Sequence, residues 1–179
     1  MNSFYTLDEL ILLGLKAVGE NVLISRKASI YSPGEIELGN HIRIDDFCIL
    51  SGKICIGSFV HISAYTALYG KNGIFIDDYS GLSPYCIIFS ATDDFSGNYL
   101  IGPMVNSEFR NVTGGSVWIK KYSQVGAACV ILPNVIINEG VAIGAMSLVN
   151  KTLPAWGIYA GIPAIFIKKR SKKLLGYIR

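Results

Sequence analysis

The feature that most restricts the fold of this 179-residue chain is a ladder of branched aliphatic residues spaced six apart. Two extra residues interrupt it after its sixth member, and a longer break follows its ninth. Ile, Leu and Val fill 52 of 179 positions, so chance would place them at all 15 ladder sites less often than about once in ten million trials. The ladder consists of Leu38, Ile44, Leu50, Ile56, Ile62, Leu68, Ile76, Leu82, Ile88, Ile119, Val125, Ile131, Ile137, Ile143 and Val149.

The residues around each ladder site have the character expected of short strands joined by sharp bends. Residues two places before the ladder, such as Ile36 and Cys48, are aliphatic or small, and side chains two apart on a strand share a face. Small turn-forming residues such as Gly39 and Asp45 follow the ladder. Three such units close a triangular coil, and stacked coils pair as parallel sheet. The sequence therefore predicts an all-β solenoid, since an amphipathic helix would show an apolar period of 3.6.

The segments outside the ladder predict caps and an excursion within a single domain. Thr6 and Glu9 have capping-box spacing, so we expect a helix over 6–18 that covers the open end of the solenoid. A tail rich in Lys and Arg predicts a terminal helix. A long break inside a compact solenoid is usually functional or disordered. The aromatic and charged residues of this one suggest an excursion that packs against a neighbouring subunit. The predicted division is a cap over 1–21, coils over 22–91 and 117–155, an excursion loop over 92–116 and a tail over 156–179.

Composition limits the partners of the chain. Charged residues make up 16%, against about 25% in a typical soluble domain, which favours an oligomer that hides one face. A net charge of +3 does not indicate nucleic-acid binding. The chain lacks both an apolar run long enough to span a membrane and a secretory signal, so we expect a cytoplasmic protein. Its four cysteines form no C-x-x-C pair, which argues against a zinc or redox motif.

Together with the ladder, three short segments resemble the C-terminal signature of the hexapeptide-repeat acyltransferases. They are Val-Gly-Ala-Ala at 125–128, Ile-Gly-Ala-Met-Ser at 143–147 and Gly-Ile-Pro-Ala at 161–164. The family includes galactoside, maltose and streptogramin acetyltransferases and acyltransferases of O-antigen and capsule clusters. Over about residues 22–170, the resemblance implies a left-handed parallel β-helix, a homotrimer with active sites between subunits, and acetyl-CoA as co-substrate without a metal.

The resemblance also implies where the donor binds. Ala127 and Ala145 match small corner residues along which the pantetheine arm of CoA runs, although corner geometry alone would also explain them. Lys151 and Lys168 match positions where basic groups meet the CoA phosphates. A plain solvated surface is the alternative interpretation for both lysines.

The sequence departs from the family at the catalytic base. Many members carry a histidine in the interrupting loop, whereas this chain has Ser-Ala-Thr-Asp-Asp at 90–94, with Asp93 near the histidine position and Asp94 beside it. A free aspartate, with a pKa near 4, is a weak base for a hydroxyl. The chain has only two histidines: His41 sits in a corner, and His61 points outward before a ladder residue, which makes His61 a candidate base.

An amino acceptor would remove the need for a strong base, because a neutral amine is already a good nucleophile. We therefore predict acetyl-CoA-dependent acetylation of the amino group of a nucleotide-linked amino-deoxysugar in surface polysaccharide or lipopolysaccharide biosynthesis. Asp93 or Asp94 would orient the ammonium, and His61 would assist. The alternatives are an O-acetyltransferase acting on a galactoside or maltose hydroxyl and a non-enzymatic structural β-helix. A γ-type carbonic anhydrase is excluded, because its zinc needs three histidines.

Overall fold

A computed structural model describes residues 3–178 of the chain. The chain forms a left-handed, parallel β-solenoid of about 7 turns with one short α-helix, which confirms the predicted fold. Residues 1 and 2 of the predicted cap and residue 179 of the predicted tail lie outside the described residues. Between residues 3 and 178, no helix is both long and apolar enough to cross a bilayer.

The solenoid has three faces of stacked, hydrogen-bonded strands. The first face holds β3 (Ser29–Tyr31), the first halves of β6 (Ile49–Ile56) and β8 (Ala67–Ile76), β10 (Ile87–Phe89), β15 (Val130–Ile131) and β18 (Leu148–Val149). The second holds β1 (Ala17–Val18), β4 (Ile36–Leu38), the second halves of β6 and β8, β13 (Val117–Ile119) and β16 (Ile136–Ile137). The third holds β2 (Val22–Ile24), β5 (Ile42–Ile44), β7 (His61–Ile62), β9 (Gly81–Leu82), β14 (Gln124–Val125), β17 (Ala142–Ile143), β19 (Gly157–Ala160) and β20 (Ile165–Lys169).

Three edges join these faces, and they are named here for later use. Edge A runs from the third face to the first and contains residues 45–47, 63–65, 83–85, 126–128 and 144–146. Edge B runs from the first face to the second and contains residues 52–53, 70–73, 132–134 and 150–152, with the excursion loop between the second and third of these. Edge C runs from the second face to the third and contains residues 40–41, 58–59, 78–79, 121–122 and 139–140.

The aliphatic ladder forms the core, as its spacing predicts. All 15 ladder side chains are at most 4% exposed, and their partners two residues earlier are buried beside them. Burial of a Leu, Ile or Val side chain contributes roughly 1.5–3 kcal/mol, so the stacked coils gain most of their stability from this column.

Aromatic residues form a second column on the outside of edge C. Phe59, Tyr79 and Tyr122 all have φ near +60°, a left-handed conformation that costs a non-glycine residue roughly 1–2 kcal/mol. Phe59 stacks on Tyr79 at 4.7 Å and Tyr79 on Tyr122 at 5.7 Å between ring centroids. Each such pair contributes about 0.5–1.5 kcal/mol, which offsets much of that cost.

The cap helix is shorter than the sequence predicts. Helix α1 spans Leu7–Leu12, with Thr6 as N-cap in a complete capping box with Glu9. The helix does not continue to residue 18, because the chain turns at Gly14 (φ +73°) and then adds β1 beside β4. The predicted helix over 6–18 is therefore correct only in its first half.

The tail also differs from its predicted helix. It first forms β20, which pairs antiparallel with β19, and only Lys173–Tyr177 form a short 3₁₀-helix. Between the two, the guanidinium of Arg170 donates hydrogen bonds to the carbonyls of Tyr122, Gly140 and Val141 on edge C. Pairing with an otherwise open strand and this clamp hold the tail against the third face.

The excursion leaves and rejoins the solenoid through a two-stranded neck. Strand β11 (Ala91–Thr92) pairs antiparallel with β12 (Thr113–Gly114) at edge B. Beyond the neck, the loop exposes large apolar side chains, among them Phe95 at 92% and Met104 at 96%. Large exposed apolar side chains that cluster in this way are typical of surfaces that bind another molecule.

Candidate active site

Edge A carries the small residues that the family resemblance assigns to the donor. Ala127 and Ala145 lie in adjacent coils, and the carbonyl of Ala127 accepts a hydrogen bond from the amide of Met146 over 2.8 Å. A Cβ at Gly126 would lie 2.6 Å from the amide nitrogen of Ala145. The backbones of these two adjacent coils are therefore too close for any residue other than glycine at position 126. Ala127 is half-buried and Ala145 is exposed, which leaves backbone accessible to a thin ligand along this edge.

Ser83 lies on the same edge, one coil before Gly126. Its amide donates to the carbonyl of Val125 over 2.9 Å, and its own carbonyl accepts from the Thr66 hydroxyl over 3.3 Å. Its Oγ accepts a hydrogen bond from Nε2 of Gln124 over 3.2 Å. In the sequence, Ser83 is only a small residue directly after the ladder residue Leu82. Nothing there connects it with Gln124, because 41 positions and the excursion separate the two.

His61 belongs to a charged cluster on the third face. Its Nε2 donates to Oδ2 of Asp45 over 2.7 Å, and Nε of Arg43 donates to Oδ1 of Asp45 over 2.7 Å. Partial burial acts to raise the pKa of Asp45, but the hydrogen bonds from Arg43 and His61 outweigh it and hold that pKa below its ordinary value. An ionised carboxylate that fixes one ring nitrogen and leaves the other accessible is the arrangement used to orient a general base.

Asp93 and Asp94 line a cavity of about 670 Å³ beneath the excursion loop. Apolar side chains, including Phe89, Phe95 and Leu132, form most of its wall. The carboxylate of Asp94 accepts hydrogen bonds from Ser96 Oγ and the Gly97 amide, and the Ser96 bond is the main cause that lowers the pKa of Asp94. The Asp93 carboxylate accepts no hydrogen bond from any group between residues 3 and 178, so it is the one available to a ligand.

Within one chain, the predicted residues fall into two groups. The cavity with Asp93 and Asp94 lies at edge B, whereas His61 lies on the third face next to edge A. The structure brings the two aspartates together and the two predicted alanines together. It does not bring His61 to the aspartates within a single copy.

The two predicted lysines lie apart from each other. Lys151, on edge B, lines a cavity of about 420 Å³ together with Lys169 and Trp156. Lys168 lies opposite Ile158 on the β19–β20 hairpin and is exposed. Lys169 was missed because the sequence did not reveal this antiparallel pairing. Among the residues from 3 to 178, no three His, Cys, Asp or Glu side chains gather in a way that could hold a metal ion.

The chain has close relatives among curated proteins, although no protein-family model matches it. It is 45% identical over 174 residues to a dTDP-4-amino-4,6-dideoxy-D-glucose acyltransferase of Escherichia coli, covering 94% of this chain and 91% of the relative. It is 27% identical over 156 residues to WbbJ of Escherichia coli K12, a putative lipopolysaccharide biosynthesis O-acetyl transferase, covering 78% of this chain and 74% of that one.

Solved structures give the same picture. AntD, an N-acyltransferase from Bacillus cereus in complex with dTDP and 3-hydroxybutyryl-CoA, superposes with a TM-score of 0.95 and 53% identity, covering 99% of this chain and 95% of that one. A serine variant of AntD holds dTDP-4-amino-4,6-dideoxyglucose and coenzyme A, at a TM-score of 0.96 and 52% identity over 99% and 96% of the two chains. A maltose O-acetyltransferase from Clostridium difficile 630, at 23% identity and a TM-score of 0.61 over 92% of this chain and 74% of that one, shares the fold.

Proposed function

Because this chain belongs to the hexapeptide-repeat acyltransferases that modify sugars, we propose that it acylates the amino group of a dTDP-linked 4-amino-4,6-dideoxy sugar, with an acyl-CoA as donor. The observation that carries this proposal is the 45% identity, over 94% of the chain, to an enzyme of that activity. The AntD complexes with dTDP, the amino sugar and CoA support the same pair of substrates.

The available side chains suit an amine better than a hydroxyl. Residues 90–94 contain no histidine, and Asp93 offers the cavity a carboxylate that has no partner among residues 3–178. Such a group binds an ammonium and accepts a proton from nitrogen, whereas it is a poor base for a sugar hydroxyl at neutral pH. Asp93 is therefore the proposed acceptor-binding residue, and Asp94 shapes the loop through Ser96 and Gly97.

The donor is proposed to lie along edge A. Ala127 and Ala145 leave backbone open to the pantetheine arm. Lys168 on the third face, and Lys151 on edge B of the neighbouring copy, would meet the phosphates of CoA. Acetyl-CoA is the default donor. The 3-hydroxybutyryl-CoA held by AntD makes a longer acyl group the alternative to test.

A complete site requires a second copy of the chain, and we propose a homotrimer. The aspartate cavity at edge B and the Ser83–Ala127 groove at edge A belong to different corners of one prism. The apolar tip of the excursion, with Phe95 and Met104 almost fully exposed, would reach the groove of the neighbouring copy. Each of the three sites would then combine the loop of one subunit with edge A of the next.

The proposed setting is surface polysaccharide biosynthesis in the cytoplasm. The relationship to WbbJ supports a role in lipopolysaccharide assembly, and acyl-CoA and nucleotide sugars are both cytoplasmic metabolites.

The direct test is product analysis with purified protein. We expect dTDP-4-amino-4,6-dideoxyglucose and acetyl-CoA or 3-hydroxybutyryl-CoA to give a product heavier by one acyl group, with loss of the free amine. Maltose and galactosides should give no product. Turnover of those hydroxyl acceptors, without turnover of the amino sugar, would contradict the proposal.

An O-acetyltransferase remains the second candidate because of the His61–Asp45 pair. Its geometry suits a general base, which hydroxyl transfer requires and amine transfer does not. If the chain were a structural solenoid instead, isothermal titration calorimetry would detect no binding of CoA.

A further inference from the structure

The protein uses most of the hydrogen-bonding capacity of Ser83 but leaves its hydroxyl hydrogen without an acceptor among residues 3–178. Its amide, its carbonyl and one lone pair of Oγ are engaged by Val125, Thr66 and Gln124. The hydroxyl hydrogen has no acceptor among residues 3–178, and Ser83 is half-buried on edge A. The serine is thus fixed in position and left with a donor to offer to a ligand.

Gln124 determines which way this hydroxyl is polarised. Its Nε2 lies 3.2 Å from Ser83 Oγ and 3.5 Å from the carbonyl oxygen of Val125. Because a carbonyl oxygen can only accept, the amide group of Gln124 that faces it must be the NH2, and the same NH2 donates to Ser83 Oγ. Gly81, paired with Gln124 in the adjacent coil, leaves room for the side chain, since a Cβ there would lie 2.9 Å from Gln124 Oε1. A glutamine nitrogen that donates to Oγ prevents the serine from donating back to it.

Ser63 provides an internal comparison. It occupies the corresponding place on edge A one coil before Ser83, and its amide donates in the same way to the next coil, at Leu82. Within residues 3–178, however, no side chain donates a hydrogen bond to the Ser63 hydroxyl. The fixed hydroxyl is therefore a property of Ser83 and Gln124, not of the repeat.

We propose that Gln124 is a positioning residue that holds the Ser83 hydroxyl as a hydrogen-bond donor to the acyl carbonyl oxygen of the donor thioester. The inference rests on the proposed function and names the part of the site that meets the acyl group. Ser83 lies one coil before the Gly126–Ala127 segment of the proposed donor groove. If the Ser83 hydroxyl instead donated its hydrogen bond to the amine of the sugar, it would occupy the lone pair that must attack the thioester.

The movement of electrons in the reaction explains why a hydrogen bond from Ser83 matters. Once Asp93 has taken one proton from the bound ammonium, the nitrogen lone pair forms the C–N bond, and the π pair of the thioester carbonyl moves onto its oxygen. When the tetrahedral intermediate collapses, the C=O bond re-forms and the C–S bond breaks. The nitrogen proton passes to the sulfur, directly or through water, and the products are the amide and the free thiol of CoA. Ser83 keeps its hydrogen throughout and stabilises the transient negative oxygen.

Gln124→Glu is the decisive variant, because a carboxylate would accept the Ser83 hydrogen and turn it away from the ligand. We expect kcat to fall about 10²-fold, as for removal of an oxyanion donor, with KM for the amino sugar changed less than about threefold. Ser83→Ala should cause a similar fall. The double variant should be no worse than Ser83→Ala, and Ser63→Ala should retain wild-type kcat.

The pH profile adds a readout that a purely structural role would not change. The activity of Gln124→Glu relative to wild type should rise as pH falls and the new carboxyl is protonated, because a neutral acid no longer requires the Ser83 hydrogen. Circular dichroism and CoA calorimetry on every variant guard against misfolding. Gln124→Leu should lower kcat less than Gln124→Glu does. A kcat within twofold of wild type for Gln124→Glu, or multiplicative losses in the double variant, would overturn the inference.

The two proposals fail separately. If wild-type protein acylates the amino sugar and Gln124→Glu does so equally well, the positioning role is wrong and the proposed function stands. If wild-type protein acylates no nucleotide amino sugar, the proposed function is wrong, and the role assigned to Gln124 in that reaction is rejected with it.

Discussion

His61 donates a hydrogen bond from Nε2 to Oδ2 of Asp45 over 2.7 Å, although the two residues are 16 positions apart in the chain. They meet because one coil of the solenoid separates them. Asp45 also accepts from Arg43, so the imidazole is oriented by a carboxylate that is itself fixed. The pair has the geometry of a base, yet it lies away from the aspartate cavity of its own chain.

His61→Ala tests whether this geometry is used. For an amine acceptor, we expect kcat/KM to fall less than about tenfold, since a general base contributes roughly 10²–10⁴-fold where it is essential. The matched control is His41→Ala, whose ring stacks on Phe59 at edge C, and which should keep full activity. A loss above about a hundredfold in His61→Ala would favour transfer to a hydroxyl.

The neighbouring aspartates should respond differently to the same substitution. Asp93→Asn removes a carboxylate that no group in the described part of the chain occupies and that we propose binds the acceptor. A hydrogen bond to a charged group is worth about 1.5–3 kcal/mol, so kcat/KM should fall roughly 10–100-fold. Asp94→Asn keeps an oxygen that can accept from Ser96 and Gly97, so its loss should be smaller. Steady-state kinetics with the amino sugar measure both, and a larger loss in Asp94→Asn would reverse the assignment.

The sequence predicted the inside of the solenoid far better than its outside. Ile44 and Val125 could be placed in the core, because the six-residue period of the aliphatic ladder predicts which side chains point inward. Contacts on the edges depend on which coils are adjacent. Ser83 and Gln124 meet because they lie in adjacent coils, although they are 41 positions apart and the whole excursion lies between them, and no local sequence pattern predicts this contact.

The tail shows the same limit. Its basic composition suggested a helix, but an open strand edge at β19 was available, and pairing with it satisfies backbone groups that a helix would leave uncovered. Lys169 therefore joins Lys151 at a cavity that the sequence could not place.

The excursion loop should control assembly. Phe95→Glu and Met104→Glu place charges on apolar surface that the proposed neighbour covers, so the trimer should dissociate and activity should fall with it. Size-exclusion chromatography with light scattering measures the change. Leu12→Glu, on a cap-helix side chain that is 84% exposed, is the control and should leave the proposed trimer intact. Unchanged mass for both loop variants would place the subunit contact elsewhere.

Gly140 should be indispensable for the stacking of edge C. Its φ is +66°, and a Cβ would lie 2.5 Å from the indole ring of Trp156. We expect Gly140→Ala to lower the free energy of unfolding by at least about 1–2 kcal/mol, the cost of the left-handed conformation alone. Gly34→Ala, where nothing lies within 4 Å of the added carbon, should change it little. Denaturant unfolding of the two variants gives the comparison, and equal stabilities would contradict this account.

The cap helix should give the fold an acid-sensitive contact. A hydrogen bond from Arg26, followed by those from Thr6, lowers the pKa of Glu9 from 4.5 to about 2. Because the folded state binds this proton more weakly than the unfolded chain, the contact stabilises the protein above pH 4.5, and that stabilisation is lost as pH falls towards 2. Glu9→Gln should therefore melt at a lower temperature than wild type at neutral pH, and the difference should shrink across this interval. Glu35→Gln serves as the control, because among residues 3–178 its carboxylate forms no ion pair. If the difference in melting temperature between wild type and Glu9→Gln stayed constant with pH, the charged contact would be excluded as its cause.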